Sequence, residues 1–411
     1  MSEAVVTVTR PQKTGYLPSL DGWRALAIVG VMITHDRPFD LFGHSSLNYK
    51  GYGGYGVYLF FAISGLLITT RILEEEKICG YFDIRRFYIR RIFRIQPAAL
   101  AYLAVVAVLI LIGVTHDSWG SWLAALALYT NFQYQPGVAV EYTGHFWTLA
   151  VEEHFYILLS LTLLLVKKYR TTALAVLFLG FTALTTLTYG VRHGWYNPQL
   201  WPRSTQWQLG PLLMASLVAV LLRRGRVLRA VRTVLRPWVI FVLTPVLMEL
   251  AGLLRELHGH TWPLHWIDLR DELEFMAFYI FIFWVVATVF HPRSWTTRFL
   301  ELKPLRFVGK ISYSLYLWHL MVYQLWGHVL FAENGPFGHL QAGQMPYILL
   351  ERPLRVAVSF GLAVLSYYVI EKPMIRKGHM LAPPATPGRL ELADLPVESP
   401  NRHVPAIERV H

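Results

Sequence analysis

The amino-acid sequence predicts an all-α protein, a polytopic membrane bundle of about ten transmembrane helices. Three observations carry that expectation. Of 411 residues, 54% are hydrophobic and only 16% charged, whereas soluble globular domains run at about 45–50% and about 25%. Mean hydropathy is +0.38. Apolar segments of bilayer-spanning length recur along the chain, and lysine and arginine alternate between successive loops. A disordered protein, a disulfide-rich module and an ordinary soluble enzyme are all excluded. The single cysteine, Cys79, leaves no internal disulfide and no cysteine-based metal cluster. The net charge of +12 fits basic cytoplasmic loops better than nucleic-acid binding.

A spanning helix needs about 20 mostly apolar residues. The first candidate, 17–35, is long enough although it contains Asp21 and Arg24. The next, 55–72, carries a few polar groups, and 98–114 (AALAYLAVVAVLILIGV) is clean. Then come 146–166, with polar residues at its start, and the clean segments 172–190 and 207–222. Segment 237–254 is mixed, 275–290 clean, 309–332 mixed and 356–370 clean. The stretch 119–132 (WGSWLAALALYTNF) is short and flanked by turn residues.

Loop charge decides how to count that stretch. Lysine and arginine number seven in 71–94, three in 167–170, six in 223–236 and five in 293–310. The intervening loops 36–54, 191–206, 255–270 and 333–355 hold two each, and 115–145 holds none. With ten spans, every basic loop falls on one side, as the positive-inside rule requires. An eleventh span at 119–132 would break the alternation, so that stretch is read as interfacial or re-entrant. Both termini are then cytoplasmic. Residues 1–16 are polar and lack the apolar core of a cleavable signal peptide. The expected organisation is a cytoplasmic segment 1–16, a membrane domain 17–375 and a disordered cytoplasmic tail 376–411.

Ionisable groups within spans cost at least about 2.5–3.5 kcal/mol each on insertion scales, so they are functional candidates by default. The first span holds Asp21, Arg24 and His35. Arg24 and His35 are eleven positions apart, which places them on one helical face about 16 Å apart along the axis. Asp21 lies three residues before Arg24, where an ion pair can form. The span 146–166 opens within HFWTLAVEEHFY, with Glu152 and Glu153 adjacent and His145 and His154 alongside. Neighbouring residues differ by about 100° around a helix, so only one glutamate can point into the bundle. A carboxylate at the depth of His35 would fix its tautomer and raise its basicity.

The run RRFYIRRIFRIQP, 85–97, precedes the third span. Its Arg91 and Arg94, with Arg90 beside them, suit bidentate phosphate binding; a positive-inside signal accounts for the same run. Ser64-Gly65 within GVYLFFAISGLLI reads as a close-packing pair, without the context of a nucleophilic serine. Trp318 and His319, in GKISYSLYLWHL, fall near mid-membrane as supporting residues. Glu371-Lys372-Pro373 reads as an end signal for the last helix. Histidines 258, 260 and 265 lack ligand-like spacing, so no metal site is expected.

Taken together, these segments resemble the membrane-bound acyltransferase 3 family. LDGWRALAI followed by His35 is similar to the family's opening motif, with its spacing of arginine, ten residues, histidine. The SGLLI tract, Arg91 and Arg94, FWTLAVEEHFY, and ISYSLYLWH before a terminal EKP follow in the family's order, over residues 16–375. The resemblance implies an acyl-CoA, usually acetyl-CoA, as cytoplasmic donor and no metal. It implicates His35 in acyl transfer, Arg24, Arg91 and Arg94 in holding phosphates or the reacting centre, and Glu152, or less certainly Glu153, as the motif's glutamate. One departure is Tyr58, where many relatives carry an acidic residue.

The expected function is O-acylation of a sugar or glycoside hydroxyl at a bacterial inner membrane. The acceptor is an exopolysaccharide, a lipid-linked glycan or a macrolide-type molecule. The short tail points to a membrane domain without an extracytoplasmic hydrolase-like domain. A transporter or flippase of a lipid-linked sugar is the competing expectation. It predicts buried charges too, but not phosphate-binding arginines matched to a histidine.

Overall fold

The computed structural model describes residues 17–35, 52–132, 140–192, 205–244, 246, 269–326 and 352–384. Among these the secondary structure is helical throughout, with no strand. Helix α1 (Pro18–His35) is followed by α2 (Tyr52–Cys79) and α3 (Ile84–Leu111). Asp83 caps α3, its carboxylate accepting from the Arg86 backbone N–H at 3.0 Å, which satisfies one orphan donor of the first turn. The arginine run and residues 98–111 of the expected 98–114 span form one continuous helix, which ends at Leu111.

Residues 119–132 form only the eight-residue α4 (Trp119–Leu126) and a 3₁₀ turn, Thr130–Phe132. At 1.5 Å per residue α4 is about 12 Å long, too short to cross a bilayer. Then follow α5 (Phe146–Leu165), α6 (Arg170–Arg192), α7 (Thr205–Leu221) and the basic α8 (Gly225–Val234). The second half comprises α9 (Leu269–Phe290), α10 (Trp295–Leu300), α11 (Lys303–Lys310), α12 (Ser312–Leu325), α13 (Arg352–Ser366) and α14 (Lys372–Leu381).

Among the described residues, four helical stretches are long and apolar enough to cross a membrane: Tyr55–Cys79, Ile84–Leu111, Phe146–Leu165 and Arg352–Leu381. Shorter apolar helices cover Arg170–Thr185, Gln208–Leu221 and Tyr279–Phe290. Parts of the expected spans 237–254 and 309–332, and histidines 258, 260 and 265, lie outside the described residues. On α5, Ile157, Leu161 and Leu165 are exposed. Their spacing of four makes one apolar stripe, which suits lipid rather than water. This is a membrane protein.

Helix α1 is the centre of the packing, against α2 on one side and α10 and α11 on another. Glycine makes the second contact possible, since a β-carbon on Gly309 would overlap the Asp21 carbonyl. Gly65 plays the same part for α2 and α7, a β-carbon there falling 2.6 Å from the Leu212 carbonyl oxygen. Close packing thus holds for Gly65, whereas Ser64 turns to Glu152.

The EKP tripeptide does not end the last helix. Tyr367–Glu371 forms a π turn between α13 and α14, and Pro373 sits in the first turn of α14. A proline there lacks a donor the helix start does not need. The helix runs on to Leu381, and Glu371 is buried rather than terminal.

Candidate active site

Two cavities meet at the basic end of the bundle. One, of about 560 Å³, is lined by Arg24, Ser64, Arg91, Arg94, Glu152 and Tyr316, among others. The second, of about 670 Å³, shares Arg24, Arg71, Arg94, Lys310 and Glu371 with it. Arg24 Nη1 lies 3.3 Å from Asp21 Oδ1, so the i,i+3 pair expected from spacing is formed.

Glu152 is the glutamate that faces the cavity. The Ser64 hydroxyl donates to its Oε1 at 3.0 Å and the Tyr156 hydroxyl to its Oε2 at 2.8 Å. Arg91 Nη2 stands 3.8 Å from the same carboxylate, and its guanidinium lies 3.8 Å from the centre of the Tyr156 ring. The Arg91 Nε is buried with no hydrogen-bond partner, leaving one donor of the fork unused. Glu153 is half-buried on the adjoining face, within electrostatic reach of Arg91. Arg90 is committed elsewhere, to Glu75 at 2.7 Å and the Pro383 carbonyl at 3.4 Å. Arg94 is exposed and lines both cavities.

The histidines converge at a different level. His319 is fully buried on α12, and its Nδ1 lies 2.9 Å from the Leu315 carbonyl. A carbonyl only accepts, so Nδ1 carries the proton and Nε2 of the neutral ring holds a lone pair. His319 Nε2 is 3.2 Å from His35 Nδ1, which also lies 3.0 Å from the Val31 carbonyl. Both neighbours of His35 Nδ1 are acceptors, so Nδ1 is the protonated nitrogen. His35 Nε2 is left as the basic one.

His145, just ahead of α5, completes the group, its ring centre 6.3 Å from that of His319 and 5.3 Å from that of Tyr102. Both His145 ring nitrogens and the Trp318 Nε1 are buried without hydrogen-bond partners. Tyr316 links the two levels: its hydroxyl lies 2.6 Å from that of Thr148 and donates to the His145 carbonyl at 2.8 Å. Outside the membrane, burial and then Glu141 and Asp117 push the Tyr142 phenol up to about 12, so it stays a donor at neutral pH.

The expected pairing of His35 with a glutamate is replaced by a pairing with His319. Glu152 lies seven residues below His145 on α5, about two turns or 10 Å, at the level of Arg24 and Arg91. The fold brings His319 and His145 together with His35, and sets Glu371, which the sequence pattern reads as a helix end, in the cavity wall. Glu371 accepts from Ser314 at 2.9 Å and lines both cavities. The signal for it was an acid in a membrane segment, the same signal that marked Glu152. Among the described residues, no group of three or more His, Cys, Asp or Glu could hold a metal ion.

The acyltransferase 3 family, described as an acyltransferase domain, matches residues 17–372. The chain belongs to that family. A protein of Staphylococcus aureus strain COL, named provisionally as an O-acetyltransferase, is 29% identical over 405 residues, covering 90% of this chain and 59% of its own. The O-acetyltransferase OatA of S. aureus strain NCTC 8325 is 28% identical over 397 residues, covering 88% of this chain and 58% of its own. The chain thus spans about three-fifths of the length of these curated relatives. No solved structure matches it. Arg24, Arg91, Arg94 and the three histidines all fall within the matched residues.

Proposed function

We propose that the protein is an O-acetyltransferase that carries an acetyl group from cytoplasmic acetyl-CoA to a hydroxyl of a sugar or glycoside. The observation that carries this reading is the His35–His319 pair lying beyond a cavity lined by Arg24, Arg91 and Arg94. Loop charge supports about ten spans with both termini cytoplasmic, and the family resemblance supports a bacterial inner membrane; 17–375 is then the catalytic domain and 376–411 a tail. The arginines lie at the basic, cytoplasmic end, where a phosphorylated donor enters.

In this mechanism His35 Nε2 takes the proton of the acceptor hydroxyl. The oxygen attacks the thioester carbonyl carbon, and the carbon–sulfur bond breaks as the intermediate collapses. The departing thiolate takes the proton back from His35, leaving an ester and a free thiol. His319 accepts from His35 Nδ1 and so holds the ring in the tautomer that exposes Nε2 as the base. Glu152 keeps Arg91 in place beside the thioester path and does not contact the base. A covalent acyl-histidine would use the same Nε2 lone pair.

Purified protein incubated with acetyl-CoA and a panel of glycosides should release free thiol and form an O-acetyl ester. His35→Ala should abolish both. Thiol release equal in wild type and His35→Ala would sink the histidine mechanism. Silence with every acyl-CoA would favour transport of a lipid-linked sugar.

A further inference from the structure

Glu152 and His154 are two positions apart on α5, about 200° around the helix, and His154 lines neither cavity. On its own face it meets buried polar residues that acetyl transfer leaves unused. Thr205, at the start of α7, sets its hydroxyl 2.7 Å from His154 Nδ1 and accepts from the Asn131 side-chain amide. The Thr205 proton then goes to His154 Nδ1, and the ring carries its own proton on Nε2. Asn131 Oδ1 and the Thr130 hydroxyl are buried with no hydrogen-bond partner among the described residues. The Asn131 oxygen belongs to the amide whose nitrogen touches Thr205, so it stands beside the same pair. Asn131 is only 1% exposed and Thr205 7%.

His154 lies midway along the twenty-residue α5, a helix long and apolar enough to cross the membrane. The 3₁₀ turn Thr130–Phe132 reaches the same depth, since Asn131 and His154 share Thr205. Irregular backbone at that depth is tolerated where it is buried in protein or lines a polar space. A stranded acceptor there is costly, and a ligand that donates to it removes the cost. The turn, α5 and α7 bring no lysine or arginine to the cluster, which disfavours an anion. An apolar chain would leave Asn131 and Thr130 unsatisfied. Hydroxyl groups both donate and accept, matching Asn131 Oδ1 as acceptor and His154 Nε2 as donor. The Phe132 ring is exposed, 5.6 Å from the His154 ring centre and tilted by 34°. It adds an apolar face for the C–H side of a sugar ring.

We propose that this cluster is an acceptor-side subsite for a neutral sugar ring, which deepens the proposed function and rests on it. Loop charge sets 115–145 on the face opposite the cytoplasm, the side from which a glycan arrives. His154 lies nine residues, about 13 Å along α5, from His145, whose ring adjoins that of His319. The ring held here is therefore a neighbour of the one acylated, and the subsite selects oligosaccharides over single sugars.

The test uses full-length wild type, Asn131→Leu and Phe132→Ala in nanodiscs, with methyl β-D-glucoside and cellotetraose as probes. Sugar binding is titrated by saturation-transfer NMR without acetyl-CoA, and initial rates are then measured with it. Wild type should bind cellotetraose more tightly than the monosaccharide. Asn131→Leu should lose about tenfold in cellotetraose affinity and Phe132→Ala about fivefold. KM for the tetrasaccharide should rise in step, while kcat, KM for acetyl-CoA and monosaccharide binding stay unchanged. If Asn131→Leu alters the melting temperature, Phe132→Ala, changed at an exposed residue, is read instead. Equal cellotetraose affinity in wild type and folded variants would overturn the subsite and leave its polar atoms to bound water. Failure of wild type to bind either sugar would overturn it too, while thiol release from acetyl-CoA would still stand for the donor reading. Binding lost in the variants, with no acetyl transfer by wild type, would uphold the subsite and overturn acetyl transfer.

Discussion

His319 Nε2 lies 3.2 Å from His35 Nδ1, joining residues 284 positions apart in the chain. His319 is itself held by the Leu315 carbonyl one helical turn back. The pair is thus a chain of donors and acceptors with one direction, from His35 Nδ1 through His319 to the Leu315 carbonyl. Replacing His319 with alanine removes the acceptor and frees the His35 ring to rotate. We expect kcat to fall about 10²-fold, within the range of a displaced general base, with KM for the acyl donor nearly unchanged. Initial-rate measurements over both substrates will separate these; a change confined to KM would refute an orienting role.

Glu152 and Arg91 lie at 3.8 Å with side chains only 18% and 14% exposed. Removing one partner of such a pair leaves the other charge buried, at a cost of about 3–5 kcal/mol. Glu152→Ala should therefore lower the melting temperature strongly, whereas Glu152→Gln, which keeps one acceptor oxygen for either Ser64 or Tyr156, should lower it less. Glu152→Ala combined with Arg91→Ala should be less destabilising than the sum of the two single changes, by about 0.5–3 kcal/mol of coupling. Strict additivity would show that the two side chains act independently.

A β-carbon on Gly309 cannot be accommodated without moving α11 from α1, because the obstacle is the Asp21 backbone. Gly309→Ala should destabilise the protein by about 1–3 kcal/mol, as overpacking does. It should also raise KM for the donor several-fold, because the helix that moves borders the cavity lined by Arg24 and Arg94. Thermal melting and donor titration together test this. A normal melting temperature would show that the contact yields easily.

On the other side of the bundle, Asp117 is buried, and its carboxylate accepts from the backbone N–H groups of Glu141, Tyr142 and Thr143 at 2.6, 2.9 and 3.1 Å. Burial nonetheless pushes its pKa above the ordinary aspartate value. The sign follows: an acid with a raised folded pKa favours the folded state when protonated, so its contribution falls as pH rises through that pKa from about 4. Asp117→Asn should flatten that slope in the pH dependence of melting. Asp117→Ala should loosen the 141–143 turn ahead of His145, with about 1–3 kcal/mol lost for the stranded donors. Melting curves between pH 4 and 7 for the three proteins, taken in steps of about one unit, will decide it, and parallel curves would count against the linkage.

Much of the architecture was legible in the linear pattern. The helices covering most of 17–35, 98–114, 146–166 and 172–190 follow from apolar runs, and the short α4 from the charge of its neighbours. Arg24, His35 and the glutamates of α5 stood out because ionised groups are expensive in lipid. The partner of His35 was not legible in the same way. Two elements, α1 and α12, must be docked before His319 can be named over Glu152, and a helical period says only which way a side chain points.

The sequence by itself determined that this is a helical membrane protein of the acyltransferase 3 family, because composition, motif order and spacing along a helix are one-dimensional quantities. Only the tertiary structure decided that Glu152 serves Arg91 while His319 serves His35, that Glu371 is buried in a cavity wall, and that the cations of α11 border the same space as Arg24. Each of these depends on the distance between helices. That distance is set by whether backbones can touch, as they do where Gly309 meets Asp21.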